Sequence, residues 1–156
     1  MQNKLKINQL NVKRLTYTAQ LPTKNLPTDA GFDIFSDETI TIDNSITARV
    51  KTGIAIEIPE GFYGRLVARS GKTTKTILRV LEGTIDAEYR GEIQVMCDVL
   101  PILDEDTQKS YTIEQGEKIA QLIIQPLPLF EVFEVAELNE SNRGAQGFGS
   151  SDKQTT

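Results

Sequence analysis

Histidine and tryptophan are absent from the 156 residues, and cysteine occurs once. Without histidine, Ser-His-Asp and Cys-His nucleophilic systems are excluded, and most zinc sites with them. Acid–base chemistry must then fall to Asp, Glu, Lys or Tyr, or to a metal-bound water. The lone Cys97 excludes an internal disulfide framework. Its neighbours Val95, Met96 and Val99 put it in a strand, as a buried structural thiol. No apolar run approaches the ~20 residues of a membrane-spanning helix. MQNKLKINQL, at the start, lacks an apolar signal region, so a cytoplasmic protein without membrane attachment is expected. A basic excess is missing too. The formal net charge is −5, with cations scattered among carboxylates, which leaves no broad nucleic-acid face.

What remains reads as strand. Alternating or β-branched runs recur at Val12–Thr16, Gly31–Phe35, Thr39–Ile42, Ile46–Val50, Ile54–Ile58, Tyr63–Val67, Ile77–Leu81 and Ile93–Val99. Tyr111–Ile113, Ile119–Ile124 and Phe130–Val135 continue the series. Turn signals such as Pro59–Glu60–Gly61 and Gln115–Gly116 separate them, and helical periodicity is confined to one turn near Gly71–Lys75. Many short strands at regular spacing predict an all-β, jelly-roll-like barrel. The length suits one domain, residues 1–138, with a core of its own. From about Leu138 the composition turns to Asn, Ser, Gly and Gln. Such a segment cannot offset its ordering entropy, so residues 139–156 are expected to form a flexible arm until something binds it.

Several stretches carry polar groups in patterns that chemistry uses. GTIDAEYRGEIQV, residues 83–95, reads as a hairpin with Asp86 and Tyr89 on its turn; Asp86 is either a turn cap or a catalytic base. GRLVARSGKTTK places Arg69, Ser70 and Gly71 just after a strand. That is either an ordinary strand exit or a phosphate cradle of guanidinium, hydroxyl and backbone N–H groups. DAGFDIFS puts Asp33 in a strand, where carboxylates are scarce unless paired or functional. GEKIAQLIIQP sets Gln121 within an apolar run. RGAQGFGSS, near the end, is either a flexible tail or a lid, with Phe148 able to stack on a base. It is not a Walker A loop, since no Lys-Ser/Thr pair closes it.

In this order, DAGFDIFS, RSG, GTIDAEYRGEIQV, GEKIAQLI and RGAQGFGSS resemble the five motifs of the homotrimeric dUTPase family, over about Asp29 to Ser151. The resemblance implies a dUTPase-like β-clip fold and a trimer with active sites at subunit interfaces. It also implies hydrolysis of dUTP to dUMP and pyrophosphate with Mg2+, which keeps uracil out of DNA and supplies dUMP for thymidylate synthesis. By motif, Asp86 activates the water that attacks the α-phosphorus. Tyr89 packs beneath the deoxyribose. Gly83 and Ile85, with the rest of the Leu81–Ile93 hairpin, read the uracil edge. Asp33 holds magnesium through a water. Arg69, Ser70, Gly71 and Gln121 face the phosphates or the attacking water, and Arg143, Phe148, Gly149, Ser150 and Ser151 come from the closing arm.

The chain departs from the family pattern in a few places. Gln146 and Asp152 stand where glycine is usual, and Lys72 and Thr73 replace Leu-Ala after RSG. Leu103–Ser110 (LDEDTQKS) extends an acidic loop, which is either surface insertion or a contact for a regulatory protein partner. Two rivals follow. A dCTP deaminase shares the fold and several motifs but needs a glutamate where Met96 stands, and Arg-Ser-Ser where this chain has Arg69–Ser70–Gly71. A nucleotide-responsive binding protein would act by contact and hydrolyse slowly or not at all.

Overall fold

The computed structural model describes residues 9–100, 110–142 and 144–145. The strands fall into small antiparallel sheets. β1 (Asn11–Arg14) pairs with β5 (Ile54–Glu57), and β3 (Ile40–Asp43) with β10 (Ser110–Ile113). A four-stranded sheet runs β2 (Phe32–Phe35), β11 (Lys118–Pro126), β6 (Phe62–Ala68) and β8 (Gly83–Ile85). A three-stranded sheet runs β4 (Ala48–Lys51), β9 (Gln94–Val99) and β7 (Leu78–Val80). One helical turn, α1 (Ser70–Lys75), follows β6 where the sequence predicts it. The architecture is the all-β, jelly-roll-like β-clip expected, built from open sheets rather than a closed barrel among the described residues.

Alternation decides which side chains go inside. On β4, Ala48 and Val50 are buried while Arg49 and Lys51 face out; on β9, Val95, Cys97 and Val99 are buried. These meet Ile34, Ile42, Ile54, Ile85, Ile113 and Leu122 in one contiguous core. Burying a Val or Ile side chain contributes about 1.5–3 kcal/mol, which holds sheets of so few residues together. Cys97 has no exposed surface, and burial pushes its thiol up to about 12. It is the structural thiol expected.

Two expectations fail. Phe130–Val135 is not a strand: no ladder pairs it, and Phe130, Val132 and Phe133 are 86%, 97% and 75% exposed. Its pattern suits a strand, but the chain leaves the sheet after Leu127 donates to Gly61 O at 2.8 Å, and no free edge of the described residues receives it. Nor is Gly83–Val95 a hairpin. β8 pairs with β6 and β9 with β4 and β7, so the two arms belong to different sheets.

Candidate active site

The parting of those arms makes the first half of the site. Beyond β7, Leu81 N–H still donates to Met96 O at 2.9 Å. The chain then crosses to β6, where Gly83 pairs with Leu66 and Ile85 with Gly64. β8 is therefore the edge of its sheet, and an edge strand presents unpaired N–H and C=O groups. On the facing side, β4 pairs with β9 from Gln94 onward, but β7 joins only at Cys97. Two backbone edges thus diverge around a cavity of about 300 Å³ lined by Gly83, Thr84, Ile85, Ile93, Gln94 and Met96. Asp86 and Tyr89 line it as well.

The turn beside the cavity is braced from several directions. Tyr89 N–H donates to Asp86 O at 3.1 Å. Arg90 Nη1 donates to Ala87 O at 2.5 Å and Tyr89 O at 3.0 Å, and its Nη2 lies 3.4 Å from Glu57. Tyr89 Oη donates to Glu92 O at 3.0 Å, which lays the ring against Gly91. A Cβ there would sit 2.4 Å from Tyr89 Oη, so only glycine leaves the ring its place. Ile93 is held through its N–H to Ile54 O at 2.8 Å and its carbonyl from the Thr52 hydroxyl at 2.5 Å. The Asp86 carboxylate is exposed, and none of the hydrogen bonds among described residues occupies it.

The second half lies across the four-stranded sheet. Gln121 on β11 faces Asp33 on β2 and Val67 on β6 in one row. Gly31 makes this possible, since a Cβ there would come 3.0 Å from Gln121 Cβ. Asp33 is buried at 6% exposure and accepts from Arg69 Nε at 3.0 Å and Lys118 Nζ at 2.8 Å. Gln121 Nε2 lies 3.4 Å from the same Oδ1 that Arg69 holds. Burial alone would push the Asp33 carboxyl up. The Lys118 hydrogen bond and the charges of Arg69 and Lys118 outweigh it and hold the group below its ordinary value. Ser70 and Gly71 follow, both exposed, with nothing within 4 Å of a Cβ placed on Gly71.

The fold therefore brings the sequence-predicted residues together in two groups: Gly83, Ile85, Asp86 and Tyr89 at the slot, and Asp33, Arg69, Ser70, Gly71 and Gln121 at the cradle. It does not unite them. Ile85 pairs with Gly64, so Asp86 leaves β8 toward Tyr63, whereas Arg69 begins past the opposite end of β6. At ~3.3 Å per residue, Tyr63 to Arg69 spans roughly 20 Å. Arg143, Phe148, Gly149, Ser150 and Ser151, with Gln146 and Asp152, lie outside the described residues, as does the loop 103–109. Sequence reasoning missed Lys118, Arg90 and Glu92. Lys118 depends on the distant Asp33, while Arg90 and Glu92 join local bonds at the turn to distant ones, to Glu57 and to the Gly53 N–H.

No group of three His, Cys, Asp or Glu side chains able to hold a metal occurs among the described residues. Asp33 offers a more limited role. A carboxylate has about four lone-pair sites; Arg69, Gln121 and Lys118 occupy three, which leaves one on Oδ2 for a water. That fits an outer-shell ligand of a hard cation whose remaining oxygens come from phosphates and water.

A profile of the dUTPase family matches residues 17–152. The deoxyuridine 5'-triphosphate nucleotidohydrolase of Paramecium bursaria Chlorella virus 1 is 39% identical over 144 residues, covering 92% of this chain and 98% of that protein. Among solved structures, the Staphylococcus bacteriophage 80alpha dUTPase with dUPNHPP aligns with a TM-score of 0.83 at 39% identity, over 93% of this chain and 99% of that one. It is described in terms of phage dUTPases controlling transfer of virulence genes by a proto-oncogenic G protein-like mechanism. The dUTPase of the S. aureus phage phi11, described with a structural Mg(II) ion, aligns with a TM-score of 0.80 at 34% identity, over 85% of this chain and all of that one.

Proposed function

The chain belongs to the dUTPase family and hydrolyses dUTP, and from that premise we propose how its own residues do so. Uracil enters the slot between β8 and β9. The observation that carries this reading is the pair of diverging backbone edges around a cavity that Asp86 and Tyr89 also line. A planar base satisfies both edges, and a base with the wrong donor or acceptor leaves a group unpaired at roughly 1–3 kcal/mol. Tyr89, seated on Gly91, lies beneath the deoxyribose. Asp86 takes a proton from the attacking water as its oxygen bonds the α-phosphorus and the bond to the β-phosphate oxygen breaks, releasing pyrophosphate. Arg69, Ser70, Gly71 and Gln121 receive the phosphates and spread their charge. Mg2+, with Asp33 in its outer shell, would neutralise the triphosphate when bound.

Asp86 and Arg69 must both reach the triphosphate of one nucleotide. The roughly 20 Å between them along β6 favours a site shared by different subunits, as in a homotrimer. The exposed apolar strip Leu129–Val135 supports the same view, because water-facing apolar surface of that extent marks an interaction site. Residues 139–156, with Arg143, Phe148, Gly149, Ser150 and Ser151, close as a lid over bound nucleotide. The lone, buried thiol suits a reducing compartment, here the cytoplasm.

Asp86→Asn tests the assignment. Binding of a non-hydrolysable dUTP analogue should persist while pyrophosphate release collapses; near-normal turnover removes Asp86 from the base role. Mixing Asp86→Asn with Arg69→Ala subunits should restore activity if the sites are shared, and no restoration refutes sharing. The deaminase alternative is not favoured, since the Met96 thioether lines the slot where a glutamate is required. A regulatory partner at residues 103–110 is a second proposal, prompted by the likeness to the phage 80alpha protein. A pull-down with and without the non-hydrolysable analogue tests it, and a nucleotide-insensitive result counts against it.

A further inference from the structure

Lys72, which replaces the leucine usual after RSG, is fully engaged. Its Nζ donates to the Glu117 carboxylate and, at 3.0 Å, to Tyr111 Oη, which itself donates to Glu117 Oε1 at 3.0 Å. The Lys72 and Glu117 side chains are only 20% and 18% exposed. Burial alone would lower Lys72 and raise Glu117; their mutual hydrogen bond and charges outweigh it and keep both ionised. Glu117 is itself anchored, because its Oε2 accepts the Glu114 N–H at 3.1 Å. It cannot swing away without giving up that bond.

A second tie lies at the N-cap of α1. Arg69 Nη1 donates to Lys118 O at 3.2 Å. Arg69 is extended and Lys72 lies in the first turn of α1, and they hold two successive residues, Lys118 and Glu117. Ser70 and Gly71 lie between the two ties. With Arg69 alone, α1 could pivot about one point; with Lys72, its angle to Asp33 and Gln121 is set.

We infer that Lys72 is a positioning residue for the phosphate subsite, completing with Arg69 a two-point clamp that presents Ser70 and Gly71 to the triphosphate. The inference rests on the phosphate role proposed above for those residues. Lys72 touches no substrate; it acts through α1.

The experiment compares Lys72→Met, Glu117→Gln, the double variant, Tyr111→Phe and Lys72→Arg. It reads steady-state dUTP hydrolysis and equilibrium binding of a non-hydrolysable dUTP analogue and of dUMP. Lys72→Met should raise KM and the analogue's Kd by about tenfold, the scale of one charge-assisted hydrogen bond, with kcat within about twofold and dUMP affinity little changed. The double variant should be no worse than either single one, and Lys72→Arg should recover most of the loss. Unchanged KM and Kd in folded Lys72→Met overturns the clamp. So do equal losses for analogue and dUMP, or additive losses in the double variant. If Lys72→Met does not fold, Tyr111→Phe decides, with about a threefold rise in Kd expected and no change refuting. Asp86→Asn in the same series keeps the readings apart: its retained turnover would refute the base assignment, while the binding arms still judge the clamp.

Discussion

Replacing Gly91 by alanine should damage the reaction far more than the fold. The added Cβ would lie 2.4 Å from Tyr89 Oη, 2.6 Å from Cζ and 3.0 Å from Cε2, where unstrained carbon contacts begin near ~3.5 Å. The ring must therefore withdraw by about 1 Å. It can do so cheaply, because Tyr89 is 47% exposed and swings into solvent. The stability cost is then close to the lost Tyr89–Glu92 hydrogen bond, about 1 kcal/mol. With Tyr89 beneath the deoxyribose as proposed, activity has no such escape, since a ~1 Å misplacement of a substrate-positioning group costs on the order of 100-fold. Steady-state pyrophosphate release from dUTP and UTP, with urea melts of the same samples, checks both halves. kcat/KM for dUTP should fall by about 10–100-fold and preference over UTP should loosen, while unfolding free energy drops by about 1 kcal/mol. Wild-type kinetics in a folded Gly91→Ala protein would refute the reasoning. A loss beyond about 3 kcal/mol would also refute it, by showing that the ring does not yield.

Gly53→Ala should act the other way. Gly53 has φ +63°, and its Cβ would meet Asp37 Oδ2 at 2.5 Å, Thr16 Oγ1 at 2.7 Å and Ala19 Cβ at 2.8 Å. Strain and overpacking together predict a loss of about 2–4 kcal/mol in urea melts. Asp33, held below its ordinary value of 3.8, contributes stability that is complete above that value and is lost as pH falls through the lower folded one. Asp33→Asn should flatten this acid limb and cost about 1–2 kcal/mol at neutral pH, the partly exposed cations being screened; an unchanged limb assigns it to another group. Cys97, with no exposed surface and its thiol at about 12, should react with thiol reagents only at the global unfolding rate, which mass-resolved labelling in urea measures.

Legibility in the sequence tracked the range of the interactions involved. Val95, Cys97 and Val99 alternate because a strand's faces alternate, so β9 and the burial of its thiol were readable. Phe130–Val135 carries the same local signal and is no strand, because pairing needs a free edge that local pattern cannot supply. Asp33 was conspicuous as a carboxylate in a strand, yet its partners Arg69 and Lys118 are 36 and 85 positions away. No spacing rule connects them. The same holds for Lys72, visible only as a departure from a motif until Glu117 and Tyr111 come to meet it.

The all-β class, the buried thiol, the absence of histidine chemistry and, through motif order, the family are written in the linear chain. These follow from residue identity and short-range periodicity, which the linear chain carries in full. Tertiary structure alone decided that Gly83–Val95 opens into a slot instead of closing as a hairpin. The reason is that β8 finds its hydrogen bonds on β6 while β9 finds them on β4 and β7. It also decided that Asp86 and Arg69 stand at opposite ends of β6 in one chain. Strand register sets that separation, and register is a property of pairs of segments, which neither segment encodes alone.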